Sequence, residues 1–202
     1  MIEQQRRSDA ATVARLTAAP SESTIELFRQ SFPRHPISRV DRSLACSFIG
    51  AFAASSTVLV AQETASANDV GFLIGGPTST LDRTRVDFIR EHALQIASNS
   101  TRSRSLFRLL LMRLRPAKSF SSSPYFAYQL RFIAVDAGSR GLRVGTLLVQ
   151  AFEELLGSQV DGYHTWTMLG EHGAEGFFTS LGFVRDVVAG DHVRLYKSLR
   201  KL

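Results

Sequence analysis

The stretch that most restricts the fold is Tyr128 to Leu156, YQLRFIAVDAGSRGLRVGTLLVQAFEELL. YQLRFIAV has the β-branched and aromatic content of a strand. A basic turn with Gly141 and Gly145 follows, and then a helix is predicted to about Leu156. On that helix Val144, Leu147, Leu148, Ala151, Phe152 and Leu155 recur at helical spacing, so one face is core. A strand that enters a helix through a glycine turn leaves backbone N–H groups unpaired at the positive end of the helix dipole, where an anion is stabilised. Gly141 and Gly145 keep side chains out of the way, and Arg140 and Arg143 can pair with phosphate oxygens. Taken alone, SRGLRVG is equally consistent with a helix cap flanked by solvated arginines.

The rest of the chain supplies more strands and helices in a mixed order. ATVARLTAA is predicted as a first strand. SESTIELFRQSF is a helix capped by Ser21 or Ser23, and DRSLACSFIGAF is a second helix after a proline-punctuated loop. TVLVAQETASANDVGFLIGG contains two β-rich runs joined by a polar turn, hence a hairpin. LDRTRVDFIREHALQIA and SLFRLLLMRLRPAK are predicted as helices of an insertion spanning 78–124. After the glycine turn and its helix come a strand at YHTWTML, a short helix at GAEGFFTSL with Gly182 at its end, and a last strand at HVRLYKSL.

The net charge of +6 is concentrated in the insertion. Between Glu91 and Asp136 there is no acidic residue, while Arg102, Arg104, Arg108, Arg113, Arg115, Lys118 and Arg131 fall inside. A solvated helix pair, a cover over a pocket for an anionic acceptor, and weak contact with an anionic membrane surface all fit that pattern. No nucleic-acid-reading motif accompanies it, so a nucleic-acid partner is not expected. The single cysteine, Cys46, permits no internal disulfide, and the N-terminus lacks a secretory pattern; a cytoplasmic location is expected. Ser43 to Gln62 is uncharged, but its Ala, Ser and Thr content fits a helix followed by a strand better than a membrane span.

Two motifs in order carry a resemblance. Arg140, Gly141, Leu142, Arg143, Val144 and Gly145 occupy the six positions of Arg/Gln-x-x-Gly-x-Gly/Ala, and FFTSLGF (Phe177 to Phe183) matches an aromatic-rich signature one strand later. With this spacing the chain resembles the GCN5-related N-acetyltransferases (GNAT), best over Tyr128 to Leu199. The resemblance implies an α/β (α+β) fold with a mixed, splayed central sheet, helices on both faces and a helical insertion before the central strand, all in one acyl-CoA N-acyltransferase domain over 1–202. It implies acetyl-CoA as co-substrate and direct transfer of its acetyl group to an amine. Ile133, Ala134 and Val135 would bond the pantetheine arm through their backbone, and a backbone N–H near Ile133 or Ala134 would stabilise the oxyanion. The backbone from Arg140 through Thr146 would cradle the pyrophosphate. Ala174, Phe177 and Phe178 would flank the other side of the arm.

Several positions depart from the family pattern. Arg143 stands at the first motif glycine and Ala137 at the usual proline after the strand. Phe178 replaces the tyrosine that protonates the leaving thiolate in many members, Glu171 replaces an asparagine, and Gln129 replaces an acid on the central strand. A general acid is worth about 10² to 10⁴ in rate, so its loss slows transfer without forbidding it. Glu171, His172 and Tyr196 are the candidate substitutes, each also explicable as a loop or packed-strand residue, and His164 is read as structural. No metal site is expected. The expected acceptor is a small-molecule amine, an amino-sugar among the candidates, and a homodimer is left open. An acyl-CoA-binding module with little turnover is the alternative.

Overall fold

The computed structural model describes residues 6–7, 11–99, 127–170 and 173–200. Eight strands form one sheet: β1 (Arg6–Arg7), β2 (Ala11–Arg15), β3 (Thr57–Glu63), β4 (Asp69–Pro77), β5 (Tyr128–Val135), β6 (Gly162–Met168), β7 (Val184–Ala189) and β8 (His192–Ser198). Their order across the sheet is β1-β2-β3-β4-β5-β6-β8-β7. All neighbours run antiparallel except β5 and β6, which are parallel. That parallel pair needs a crossover, and the helix α5 (Val144–Leu156) supplies it.

The helices cover both faces, as expected. On one face lie α1 (Glu22–Ser31), α2 (Arg42–Ser55), α3 (Thr78–Glu91) and α4 (Ala93–Asn99). Phe28, Phe48, Phe52 and Phe88 from these helices pack with Phe72 of β4 and Phe132 of β5. Ring contacts such as Phe48–Phe52 at 5.0 Å and Phe32–Phe132 at 5.1 Å are edge-on, the arrangement that the ring quadrupole favours. Burying each such ring contributes about 1.5–3 kcal/mol. The other face holds α5 and α6 (Glu175–Ser180), whose apolar side chains meet Leu73, Tyr163, Val193 and Leu195 of the sheet.

Local chemistry explains where the helices begin and end. Ser21, not Ser23, caps α1 by accepting from the Thr24 N–H at 3.1 Å. The same Ser21 hydroxyl and that of Thr24 both donate to Asp69, buried at the start of β4, which also accepts from Gln62 Nε2 at 3.1 Å. Asp41 caps α2 at Leu44 N–H, also at 3.1 Å. Gly182, with φ 86°, follows α6, and the Gly182 and Phe183 N–H groups donate to Thr179 and Phe178 carbonyls, closing the helix as a Schellman turn.

Some sequence expectations need correction. The helix expected from Leu81 begins at Thr78 and is divided at His92 into α3 and α4, with the His92 ring stacked on Phe88 at 4.2 Å. The second helix of the insertion, with its arginines, lies outside the described residues. Strand β7 was not anticipated: among the described residues it pairs only with β8, and Val184 and Val188 are about half exposed. Among the described residues no helix is long and apolar enough to cross a membrane, and the Ser43 to Gln62 stretch is nearly all of α2 followed by most of β3.

Candidate active site

A cleft opens in the middle of the sheet. The parallel pairing of β5 with β6 extends only over Gln129↔His164 and Leu130↔Thr165, after which the strands part. On its other edge β5 stays paired with β4 as far as Val135. Register on that edge slips by one residue: Ile74 faces Phe132 and Gly75 faces Leu130, so Arg131 is a bulge. The bulge resets alternation. Gln129, Phe132 and Ala134 thereby share the α1–α3 face, while Ile133 and Val135 turn to the α5 face. Ile133, Ala134 and Val135 are thus beyond the last pairing with β6, with their second edge on the cleft.

The chain leaves β5 through a tight turn that ends at α5. The Asp136 carboxylate accepts from Gly138 N–H at 2.8 Å and starts a 3-10 turn over Ala137–Ser139. Gly141 has φ 82° and nothing near the place a Cβ would occupy. Arg143, the N-cap of α5, has φ 61° and ψ 13°, the left-handed region that favours glycine. No side chain caps α5, so the amides of Val144, Gly145 and Thr146 start the helix with their donors turned to the turn's open side. The side chains of Arg140, Leu142 and Arg143 are exposed. Val144 differs: its side chain is core beneath β4, and only its backbone belongs to the turn.

Phe177 links the turn to α6. A Cβ on Gly145 would lie 3.1 Å from Phe177 Cζ and 3.5 Å from Val135 Cγ2. Gly145 is therefore needed for the close packing of Phe177 over the end of β5, a role that sequence reasoning missed. Ala174, whose N–H donates to Thr167 Oγ1 at 2.8 Å, and Phe177 are half-buried beside β6. Phe178 is 2% exposed and packs on Phe183 at 5.1 Å, so its ring belongs to the core.

Polar groups gather on the α1–α3 side of the cleft's closed end. Arg131 donates to Gln129 Oε1 from Nε at 3.2 Å and from Nη2 at 2.6 Å, and Nη2 also reaches Asp82 Oδ1 of α3 at 2.7 Å. Tyr196 of β8 pairs in register with His164 of β6. Glu171 and His172 lie outside the described residues. Among the described residues no three His, Cys, Asp or Glu side chains are grouped so as to hold a metal ion. A hollow of about 310 Å³ borders the turn, between Glu63, Ala65 and Val70 on the β3–β4 side and Ser139, Leu142 and Val144. Under the α5 face, Tyr163 Oη and Lys197 Nζ both donate to Glu153 Oε1 at 2.6 Å. Burial first, and the Glu153 charge second, push the Tyr163 hydroxyl well above its ordinary pKa.

The profile of the Acetyltransferase (GNAT) family matches residues 112–183, which span the central strand, the turn, α5, β6 and α6. A sequence search of curated proteins finds no match. Solved structures share the architecture at low identity. A histone acetyltransferase HPA2 and related acetyltransferase from Corynebacterium glutamicum is 16% identical, with TM-score 0.56 over 93% of this chain and 96% of that one. A GNAT-family acetyltransferase from Staphylococcus aureus Mu50 is 15% identical, with TM-score 0.54 over 95% and 100%. A mosquito arylalkylamine N-acetyltransferase like 5b is 16% identical, with TM-score 0.53 over 94% and 100%. The family generally uses acetyl-CoA as acyl donor. The matched profile over residues 112–183 and the shared splayed sheet make this chain similar to the GNAT acetyltransferases in its motif-bearing segment and in fold.

Proposed function

We propose that the protein transfers an acetyl group from acetyl-CoA to the primary amine of a small molecule, an amino-sugar among the candidates, by direct attack in a ternary complex. The observation that carries the reading is the cleft's junction: β5 leaves β6 after Leu130 and its chain passes, through the turn at 136–143, into an uncapped helix beside Arg140 and Arg143. A diphosphate fits that turn because amide donors, helix dipole and guanidinium charge all favour an anion at one place. The Ile133–Val135 backbone would hold the pantetheine arm, with Ala174 and Phe177 across from it and Phe178 supporting them from the core. A main-chain N–H of Ile133 or Ala134 would meet the developing oxyanion. Glu171, His172 and Tyr196 remain the proposed sources of proton transfer on sequence grounds. The whole chain would act as one domain, in the cytoplasm.

A second reading, a binding module with little turnover, is favoured by one observation: Gln129 Oε1 is already engaged by Arg131, so this position offers no base. Titration calorimetry with acetyl-CoA, coupled to thiol release in the presence of a panel of primary amines, separates the two. Binding with thiol release that depends on the amine supports the enzyme. Binding with no release between pH 6 and 9 supports the module, and no binding at millimolar acetyl-CoA contradicts both.

A further inference from the structure

We propose that His164 takes the proton from the incoming ammonium group, with Tyr196 as its positioning residue; this rests on the acetyl-transfer reading above. An amine arrives protonated at neutral pH and has no lone pair to attack with until one proton leaves. The strand position that holds a carboxylate in many relatives is Gln129. Its oxygen accepts two N–H bonds from Arg131, which leaves only the NH₂ end, a donor without basicity. The proton must therefore go elsewhere.

Strand register singles out His164. It lies directly beside Gln129, one pairing before the sheet opens after Leu130↔Thr165, and directly beside Tyr196 on β8. Paired residues on neighbouring strands share a face. Tyr163, Val193 and Leu195 fill the α5 face, so alternation puts His164 and Tyr196 on the opposite face, the one Gln129 shares with α1–α3. Gln129, His164 and Tyr196 thus form a row across three strands at the vertex of the cleft. His164 is 4% and Gln129 8% exposed, while Tyr196 is half-buried and connects the row to solvent. Charged groups on the elements packed beside it include Arg131 on β5, Asp82 and Arg85 on α3, and Arg194 on β8. Asp82 Oδ1 accepts from Arg131 at 2.7 Å, and Arg194 is paired with Asp186 at 2.5 Å, so each already serves an ion pair. Imidazole is the one side chain in the row whose ordinary titration range matches a base working near neutral pH.

The step balances as follows. RNH₃⁺ gives one proton to the neutral imidazole of His164. The freed lone pair forms the N–C bond at the thioester carbonyl, and the C–S bond breaks. The second ammonium proton passes through solvent to the departing thiolate, and the imidazolium returns its proton to solvent.

The test uses the full-length protein, acetyl-CoA, and ethanolamine, glucosamine, tyramine and hydroxylamine as acceptors. Hydroxylamine is largely unprotonated at neutral pH and has no need of a base before attack. His164→Gln and His164→Asn should keep the wild-type affinity for acetyl-CoA in calorimetry, which establishes that each is folded. Both should lose about 10² or more in kcat/KM with the best primary amine, together with the acid limb of the pH profile. With hydroxylamine the loss should be under tenfold. Tyr196→Phe should displace the acid limb without removing it. Equal losses with both acceptors, or an acid limb unchanged in the His164 variants, would overturn the assignment of His164 while leaving acetyl transfer intact. Wild-type protein that binds acetyl-CoA but acetylates none of the four would instead overturn the acetyl-transfer reading itself, and this assignment with it.

Discussion

Replacing Arg143 by glycine should raise stability and lower cofactor affinity at once. Arg143 holds φ 61° and ψ 13° at the N-cap of α5, where an L side chain crowds its own carbonyl at a cost of about 1–2 kcal/mol. Glycine removes that strain but brings about 0.5–1 kcal/mol of extra backbone entropy to the unfolded chain. The arginine side chain is exposed, so little packing is lost. The net gain is about 0.5–1 kcal/mol, which for a chain of this size is a rise in Tm of about 1–4 °C. Affinity should move the other way. A charge-assisted hydrogen bond to phosphate at an exposed site is worth about 1.4 kcal/mol, or tenfold in Kd. Scanning calorimetry of the apo protein and titration with acetyl-CoA give both numbers from one preparation. A lower Tm would refute the strain argument, and an unchanged Kd would show that Arg143 does not meet the diphosphate.

Asp69→Ala leaves the hydroxyls of Ser21 and Thr24 without their shared acceptor, and urea titration should show a loss of about 2–3 kcal/mol; under 0.5 kcal/mol would mean that water replaces it fully. Gly75→Ala puts a methyl 2.6 Å from Phe152 Cζ and 3.1 Å from the Gln129 carbonyl oxygen, so about 1–3 kcal/mol should be lost to overpacking; unchanged stability would mean that α5 can shift freely. The raised pKa of Tyr163 sets a sign for alkaline pH. Below about pH 10 the tyrosine is protonated in both folded and unfolded chains, but above it only the unfolded chain ionises, so stability should fall as pH rises past 10. Tyr163→Phe should flatten that fall, and an identical alkaline slope in the variant would contradict the buried hydrogen bond to Glu153.

The strand, turn and helix from Tyr128 to Leu156 were legible because each uses local signals: β-rich content, glycines, then helical periodicity. The motif at Phe177 to Phe183 was equally legible, but its geometry was not. Phe178 is in the core while Phe177 meets Gly145, a contact between two elements about thirty residues apart that no spacing rule encodes. Strand β7 was missed because it is an edge strand with one partner among the described residues, a register shift near Asp186 and no buried alternation. The Arg131 bulge was hidden for a related reason: RFIAV reads as plain strand, and only its pairing with Ile74 and Gly75 reveals the extra residue. His164 looked structural in isolation. Its place between Gln129 and Tyr196 is a property of register across three strands, which a single sequence does not carry.

The central claim is that a diphosphate binds where β5 passes into α5. Amide chemical-shift mapping by NMR during a CoA titration tests it at residue level. The account predicts the largest shifts at Gly141 to Thr146 and at Ile133 to Val135, with small ones at Glu63 to Ala65 on the far wall of the hollow. Shifts centred on Glu63 to Ala65 of the β3–β4 turn, or confined to the α1–α3 face with the glycine turn unmoved, would contradict it.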